Sequence, residues 1–184
     1  EIQIIGDLMG EISHLGDREC SVQRRNQKIV EVAPAPGLSA SLRAKITDAA
    51  LTFARKHHYL SLGTFEFLID VNSPDERFVF IEANARLQVE HTVTEEITGF
   101  DLVRGQIQIA LGSSLADVGL RKNHATLNNG FSIHARVNLQ TINPDGTILP
   151  GPGVLHGYDA PNGTGERTEG IDYGCYALHT NRKS

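Results

Sequence analysis

The run Phe78–His91, FVFIEANARLQVEH, limits the folds open to this chain more than any other stretch. Read with a period of two, one side carries Glu82, Asn84, Arg86, Gln88 and Glu90, and the other carries Ala83, Ala85, Leu87 and Val89. That alternation predicts a half-buried strand. The strand-like runs are Leu62–Val71 and, at the start of this stretch, Phe78–Asn84, with Asn72-Ser73-Pro74-Asp75-Glu76 between them. Asn, Ser, Pro and Asp together are turn chemistry, so the two runs are expected to form a hairpin. A merely solvated face tends to use Lys, Thr and Ser. This one sets out carboxylate, amide, guanidinium, amide and carboxylate in order, which points to chemistry rather than solubility.

The rest of the chain supplies a frame for that row. Residues 1–33 alternate in short runs, with turn signals at Gly6-Asp7 and Gly16-Asp17, and read as antiparallel strands ending with Lys28–Val32. Ala33-Pro34-Ala35-Pro36-Gly37 breaks the pattern. Ser39 or Ser41 is placed to cap a helix with an apolar stripe of Leu42, Ile46, Ala49, Ala50 and Phe53, fading at His57-His58. A second helix is expected over Asp101–Leu111, capped by Asp101 and stopped at Gly112. Residues 113–129 are polar and irregular. Beyond Gly130, short β-like runs are punctuated by Asn143-Pro144-Asp145-Gly146, Pro150-Gly151-Pro152-Gly153 and Asn162-Gly163-Thr164-Gly165. A subdomain boundary is expected near 118–130. The Gly-rich pieces precede β-like runs rather than a helix, so they read as turns and not as phosphate loops.

Composition removes several classes of function. At 184 residues and 40% hydrophobic the chain has material for a real core, and no run approaches the roughly 18 apolar residues of a membrane span. With 17 Lys and Arg against 22 Asp and Glu, net charge −5, no general attraction to nucleic acid or anionic lipid is expected. An anionic ligand would need a local basic cluster, and Gln23-Arg24-Arg25-Asn26-Gln27-Lys28 is the densest, whether as a solvated turn edge or an anion site. Cys20 and Cys175 stand in no metal or redox spacing and read as reduced thiols of a cytosol-like compartment. No targeting segment is read. The opening Glu1-Ile2-Gln3-Ile4-Ile5 looks like a strand already under way, so a piece of a longer polypeptide is expected.

Glu82 and the Asn84 carbonyl are hard oxygen donors two residues apart. With few protein ligands they suit Mg²⁺, which keeps waters and shares substrate phosphates. Glu66, central in Gly63-Thr64-Phe65-Glu66-Phe67, is placed to add a third oxygen from the hairpin partner, or else to pair with a basic residue across the strands. Arg86, Gln88 and Glu90 could grip, orient and accept a proton from a small planar anion, a carboxylate or bicarbonate. His91 reads as a structural hydrogen-bonding residue. Arg136, in Phe131–Val137, earns no role from its surroundings alone.

Four blocks together resemble biotin carboxylase, the ATP-grasp component of biotin-dependent carboxylases such as acyl-CoA, pyruvate or urea carboxylase. They are Arg18–Lys28, Glu31–Pro36, Gly63–Phe67 and Phe80–His91, in order over essentially the whole chain. The resemblance implies an α+β chain. Residues 1–118 would be the C-terminal portion of an ATP-grasp fold, an antiparallel sheet with packed helices. Residues 119–184 would be part of the β-rich biotin carboxylase C-terminal domain. It implies ATP, Mg²⁺ (or Mn²⁺) and bicarbonate as reactants that make carboxyphosphate, and biotin on a carrier domain as the group carboxylated at N1. Glu66, Glu82 and Asn84 would hold metal. Lys28, Arg86, Gln88 and the Val89 backbone would bind bicarbonate, and Glu90 would deprotonate it. Arg136 would stabilise the biotin enolate, Gln23 and Asn26 would lie near nucleotide and biotin, and Leu68 would pack on adenine. Asn26 stands where the family commonly has His, and Ala83 and Ala85 replace bulkier or Thr and Pro residues.

The resemblance further implies a biotin carboxyl carrier domain, a carboxyltransferase domain or subunit and a homodimer as partners. The compartment would be the cytoplasm, or the mitochondrial matrix in a eukaryote. The family's N-terminal subdomain and Gly-rich ATP lid precede the stretch matched here, so these 184 residues alone are not expected to turn over. Two other readings stand beside it: another ATP-grasp ligase of the carbamoyl-phosphate synthase type, and a non-catalytic scaffold module.

Overall fold

Antiparallel pairing organises the N-terminal runs into β1 (Ile2–Gly6), β2 (Ile12–Asp17), β3 (Glu19–Arg24) and β4 (Gln27–Ala33). The computed structural model describes residues 1–120, 130–138, 140–150, 167–172 and 175–182. After β4 come α1 (Ala40–Lys56), β5 (Ser61–Ile69), β6 (Phe78–Asn84), α2 (His91–Thr98) and α3 (Leu102–Ala110). The chain then gives β7 (Phe131–Asn138), β8 (Gln140–Ile142), β9 (Ile148–Pro150), β10 (Arg167–Asp172) and β11 (Cys175–Arg182). The turns expected at Pro150–Gly153 and Asn162–Gly165 fall at or beyond 151–166, outside the described residues apart from Pro150, which ends β9.

The first sheet runs β2-β1-β5-β6. One face is apolar: Ile2, Ile4 and Phe65 bury against Leu42, Ile46, Ala50 and Ala54 of α1, with Phe67, Ile69 and Phe78 at the margin. Ser39 caps α1 as expected, its hydroxyl accepting from the Leu42 N–H at 3.0 Å. The stripe turns slightly from the expected one, since Ala54 is buried while Phe53 stacks on Phe80 at the sheet edge. Gly16-Asp17, expected as a turn, instead belongs to the end of β2. At the other end of the sheet, Ile5, Leu15 and Leu62 pack with Leu102 and Ile109 of α3.

A bulge in β6 decides which way the polar row points. Glu66 faces Glu82, but the next residue of β5, Phe67, faces Phe80, leaving Ile81 as the extra residue. Without this slip, Phe78 and Phe80 would share a face with Glu82. With it, they turn toward the aromatic cluster of Phe53, Phe65 and Phe67, while Glu82 and Asn84 turn the other way.

The second sheet runs β10-β11-β7-β4-β3, so strands from both sides of residue 118 pair within one sheet through β4 and β7. β3 and β4 meet at Arg25-Asn26, both with positive φ (51° and 64°), the backbone of a tight two-residue hairpin turn. α2 lies on this sheet and buries Val93 and Ile97 against Ala33. β6 ends at Asn84, the bound expected for it, residues 85–90 form a loop, and His91–Thr98 is helical. Thr92, Val93, Thr94, Ile97 and Thr98 are β-branched and disfavour helix locally. Tertiary burial of Val93 and Ile97 outweighs that preference, and Gly99, at φ 69°, terminates the helix. Among the described residues no helix is long and apolar enough to cross a membrane.

Candidate active site

The face of the first sheet turned away from α1 is polar where β5 and β6 meet. Glu66 and Glu82 stand directly opposite each other, as do Thr64 and Asn84. Opposed carboxylates repel, so this pairing needs compensation. Part of it comes from Asn84, whose Nδ2 donates to Glu66 Oε1 at 3.0 Å and to Glu82 Oε1 at 2.9 Å. The loop after β6 adds Gln88, whose Nε2 donates to the same Glu66 oxygen at 3.3 Å. The loop is held by its own backbone, through Arg86 N–H to Asn84 C=O at 2.9 Å and His91 N–H to Gln88 C=O at 3.2 Å. His91 Nδ1 lies 2.8 Å from the same Gln88 carbonyl, the structural role expected for it.

Lys28, the second residue of β4 after the Arg25-Asn26 turn, reaches in from the second sheet. Its Nζ donates to Glu66 Oε1 at 2.9 Å, to Glu90 Oε1 at 2.7 Å and to Glu1 Oε1. Burial opposes its charge, yet Glu1 and Glu90 outweigh that and raise its pKa above the ordinary lysine value. Glu66 therefore does both things open to it from the sequence: it pairs with a cation across elements and stands beside Glu82 and Asn84.

These groups open on one cleft of about 770 Å³. Its walls take Gln23, Asn26 and Lys28 from the hairpin, Glu66, Leu68, Glu82 and Asn84 from β5 and β6, and Arg86, Gln88, Val89 and Glu90 from the loop. Arg136 enters from β7. The structure thus brings every residue singled out in the sequence to one place, including Arg136, which lies far along the chain. A second, mainly apolar concavity of about 440 Å³ shares Gln23, Glu66, Leu68 and Ile81 with it.

Two members of the site were not legible in the sequence. Arg18 is 2% exposed and fully engaged: Nε to Glu1 Oε2 at 3.1 Å, Nη1 to Gln3 Oε1 at 2.8 Å and Thr94 Oγ1 at 2.9 Å, and Nη2 to Thr64 Oγ1 at 3.1 Å. It ties β1, β5 and α2 together under the cleft. Glu1 bridges Arg18 and Lys28. Burial works against its charge, but Arg18 and Lys28 prevail and bring its pKa down to about 2. An isolated Arg between two strands carries no spacing signal, and a single Glu ahead of β1 carries none either. Beside them Cys20 is buried, and burial with the Glu1 charge pushes its thiol well above the usual range, so it is no nucleophile.

The donor set fits a hard divalent cation. Two facing carboxylates and an amide are oxygen donors from adjacent strands, and the amide has only to turn its Oδ1 toward the ion. Among the described residues no three His, Cys, Asp or Glu side chains cluster as a metal cage. Such a site leaves room in the shell for phosphate and water, as Mg²⁺ prefers.

The family model described as "Carbamoyl-phosphate synthase L chain, ATP binding domain" matches residues 1–118. The chain belongs to this family. Its relatives in the family are biotin carboxylase parts of biotin-dependent carboxylases. It is 44% identical over 170 residues to the pyruvate carboxylase of Aspergillus niger, covering 92% of this chain and 14% of that protein. It is 45% identical over 169 residues to the mitochondrial pyruvate carboxylase of Homo sapiens, with the same coverage of 92% and 14%. Among solved structures, the complete multifunctional pyruvate carboxylase of Rhizobium etli superposes with TM-score 0.88 at 36% identity, over 99% of this chain and 19% of that one. The biotin carboxylase domain dimer of Hydrogenobacter thermophilus 2-oxoglutarate carboxylase, in complex with MgADP, ADP and bicarbonate, gives 0.86 at 36%, over 99% and 41%. The chain thus spans a small part of the curated relatives it matches.

Proposed function

We propose that this chain supplies the metal, bicarbonate and biotin side of a biotin carboxylase, which uses ATP and bicarbonate to carboxylate a carrier-linked biotin. The observation that carries the reading is that Arg136 of β7 opens on the same cleft as Lys28, Glu66 and the Arg86–Glu90 loop.

Each side chain has a task suited to its surroundings. Arg86 is exposed toward the cleft and, with Lys28 and the Gln88 amide, presents donors to the planar bicarbonate anion. Glu90 is 4% exposed and takes the bicarbonate proton, which makes the oxygen a nucleophile toward the γ-phosphate. Lys28 already bonds Glu90 at 2.7 Å and holds it in place. A divalent cation on Glu66, Glu82 and Asn84, Mg²⁺ or Mn²⁺, would offset phosphate charge during the transfer. Leu68 and Ile81, on the border of the apolar concavity, offer adenine a flat contact. Gln23 and Asn26 stand between nucleotide and biotin. Arg136 would offset the negative charge that grows on the ureido oxygen when the phosphate released with CO₂ from carboxyphosphate takes the biotin N1 proton.

Residues 1–118 act as the later portion of the ATP-grasp fold and 119–184 as the start of the biotin carboxylase C-terminal domain. Partners are the carrier domain, a carboxyltransferase domain or subunit, and a second copy in a homodimer. The working compartment is the cytoplasm or the mitochondrial matrix. The isolated 184 residues do not turn over, because the groups that cover ATP lie on other segments.

The test is bicarbonate-dependent ATP cleavage by the full-length protein, with and without free biotin. Stimulation by biotin, lost on Glu90→Gln and on Arg136→Ala, is expected. A carbamoyl-phosphate type of ligase would cleave ATP without responding to biotin and would form carbamoyl phosphate. If both substitutions left carboxylation unchanged, a scaffold role would replace the catalytic one.

A further inference from the structure

Two of the cationic groups of the cleft, Lys28 and Arg136, lie on neighbouring strands that part company beside them. The β4–β7 ladder pairs Ala33 with Ser132, Val32 with Ile133, Glu31 with His134 and Val30 with Ala135. Lys28 and Arg136 both lie just past its last pair, one on each strand, and both line the cleft. Continuing the same register would set Gln27 opposite Asn138, and there the strands are joined again by side chains. Asn138 Nδ2 donates to Gln27 Oε1 at 2.8 Å. Next to it, Arg24 Nη2 donates to Gln140 Oε1 at 2.6 Å. The opening between β4 and β7 is therefore closed at one end by backbone pairing and at the other by two side-chain bonds.

We propose that the Gln27–Asn138 bond, seconded by Arg24–Gln140, is a positioning clasp that sets the distance between Lys28 and Arg136. The inference rests on the biotin carboxylase reading above and concerns the step in which biotin meets the bound anion. Gln27 adjoins Lys28 in sequence. Asn138 lies two residues beyond Arg136 on β7, which pairs with β11 in unbroken register, so the two share a face of that strand. Arg25 and Asn26 form the turn between the two clasped positions, and a turn with both residues at positive φ leaves little backbone freedom. Holding its two flanks thus fixes the whole hairpin tip against β7. A reaction between two bound partners is sensitive to small errors in their spacing. Gln27 lines the cleft beside Lys28 and Asn138 does not, and the clasp acts through Lys28 and Arg136.

The experiment compares the full-length wild type with Asn138→Ala and with the exchange Gln27→Asn plus Asn138→Gln, which keeps one donor, one acceptor and the combined length. Two rates are read: ATP cleavage with bicarbonate but no biotin, and the KM and kcat for free biotin. Asn138→Ala is expected to keep the first within about twofold and to raise the biotin KM by about tenfold, and the exchange to recover most of that loss. Equal falls in both rates together with a lower melting temperature would mean a merely structural contact and would overturn the clasp. So would an unchanged biotin KM in an active enzyme. A wild type that shows no biotin-dependent turnover would instead overturn the biotin carboxylase reading, and the clasp with it.

Discussion

Replacing Lys28 by Met tests the charge balance of the cleft directly. The substitution keeps the length of the side chain and removes the ammonium that bonds Glu1, Glu66 and Glu90. Glu1 keeps Arg18 at 3.1 Å and Glu66 keeps the Asn84 and Gln88 amides, so Glu90, with its side chain 5% exposed, loses the most. Removing one partner from a buried pair costs about 3–5 kcal/mol. The cost has a ceiling, because a released carboxylate can take up a proton instead. For a reference carboxyl near 4.3, that escape costs about 1.36 kcal/mol for each pH unit above it. The ceiling is then about 3.7 kcal/mol at pH 7 and about 1.6 kcal/mol at pH 5.5. At about 2–4 °C per kcal/mol for a domain of this size, Lys28→Met should lower the melting temperature by about 7–15 °C at pH 7 and by about 3–6 °C at pH 5.5. Thermal unfolding of both proteins at the two pH values measures this. An equal loss at both would refute the argument, since it would mean that packing of the lysine stem, and not its charge, is what matters.

Three further outcomes are expected. Glu82→Gln should weaken Mn²⁺ binding by about tenfold or more, read by electron paramagnetic resonance, because it removes one of two facing carboxylates while leaving the strand pairing intact. His134→Leu should cost about 3–5 kcal/mol, since Nδ1 lies 2.8 Å from Glu31 Oε2 and both side chains are 0% exposed, while Glu31→Leu in the same protein should return much of it, as urea titration would show. Glu1 has a depressed pKa, so its contribution to stability is complete above the ordinary 4.5 and is lost as the pH falls toward 2. Acid unfolding of wild type should accordingly be steeper in that window than that of Glu1→Gln.

Much of the site could be read one segment at a time. The β5–β6 hairpin, the Ser39 and Asp101 caps and the row Glu82–Asn84 depend on local rules of alternation, turn residues and capping, and they stand where those rules put them. The row beyond Asn84 did not stay a strand. Arg86, Gln88 and Glu90 reach the cleft from a loop, and Glu90 sits immediately before a helix that local propensity disfavours. Residue types and spacing therefore marked groups that line one cleft, although those past Asn84 reach it from a loop.

The groups that line the cleft, and their resemblance to a known constellation, could be read from the chain, because short-range spacing and side-chain type are local properties. Their arrangement in space belongs to the assembled sheets. The bulge at Ile81 turns the carboxylates from the aromatic core toward the cleft. Arg18 gathers β1, β5 and α2 through contacts as far as 76 residues apart in the chain. Arg136 reaches Lys28's cleft because β7 pairs with β4 across the whole intervening length of chain. Each of these rests on burial and pairing between distant segments, which set a side chain's direction and charge state only once the sheets have assembled.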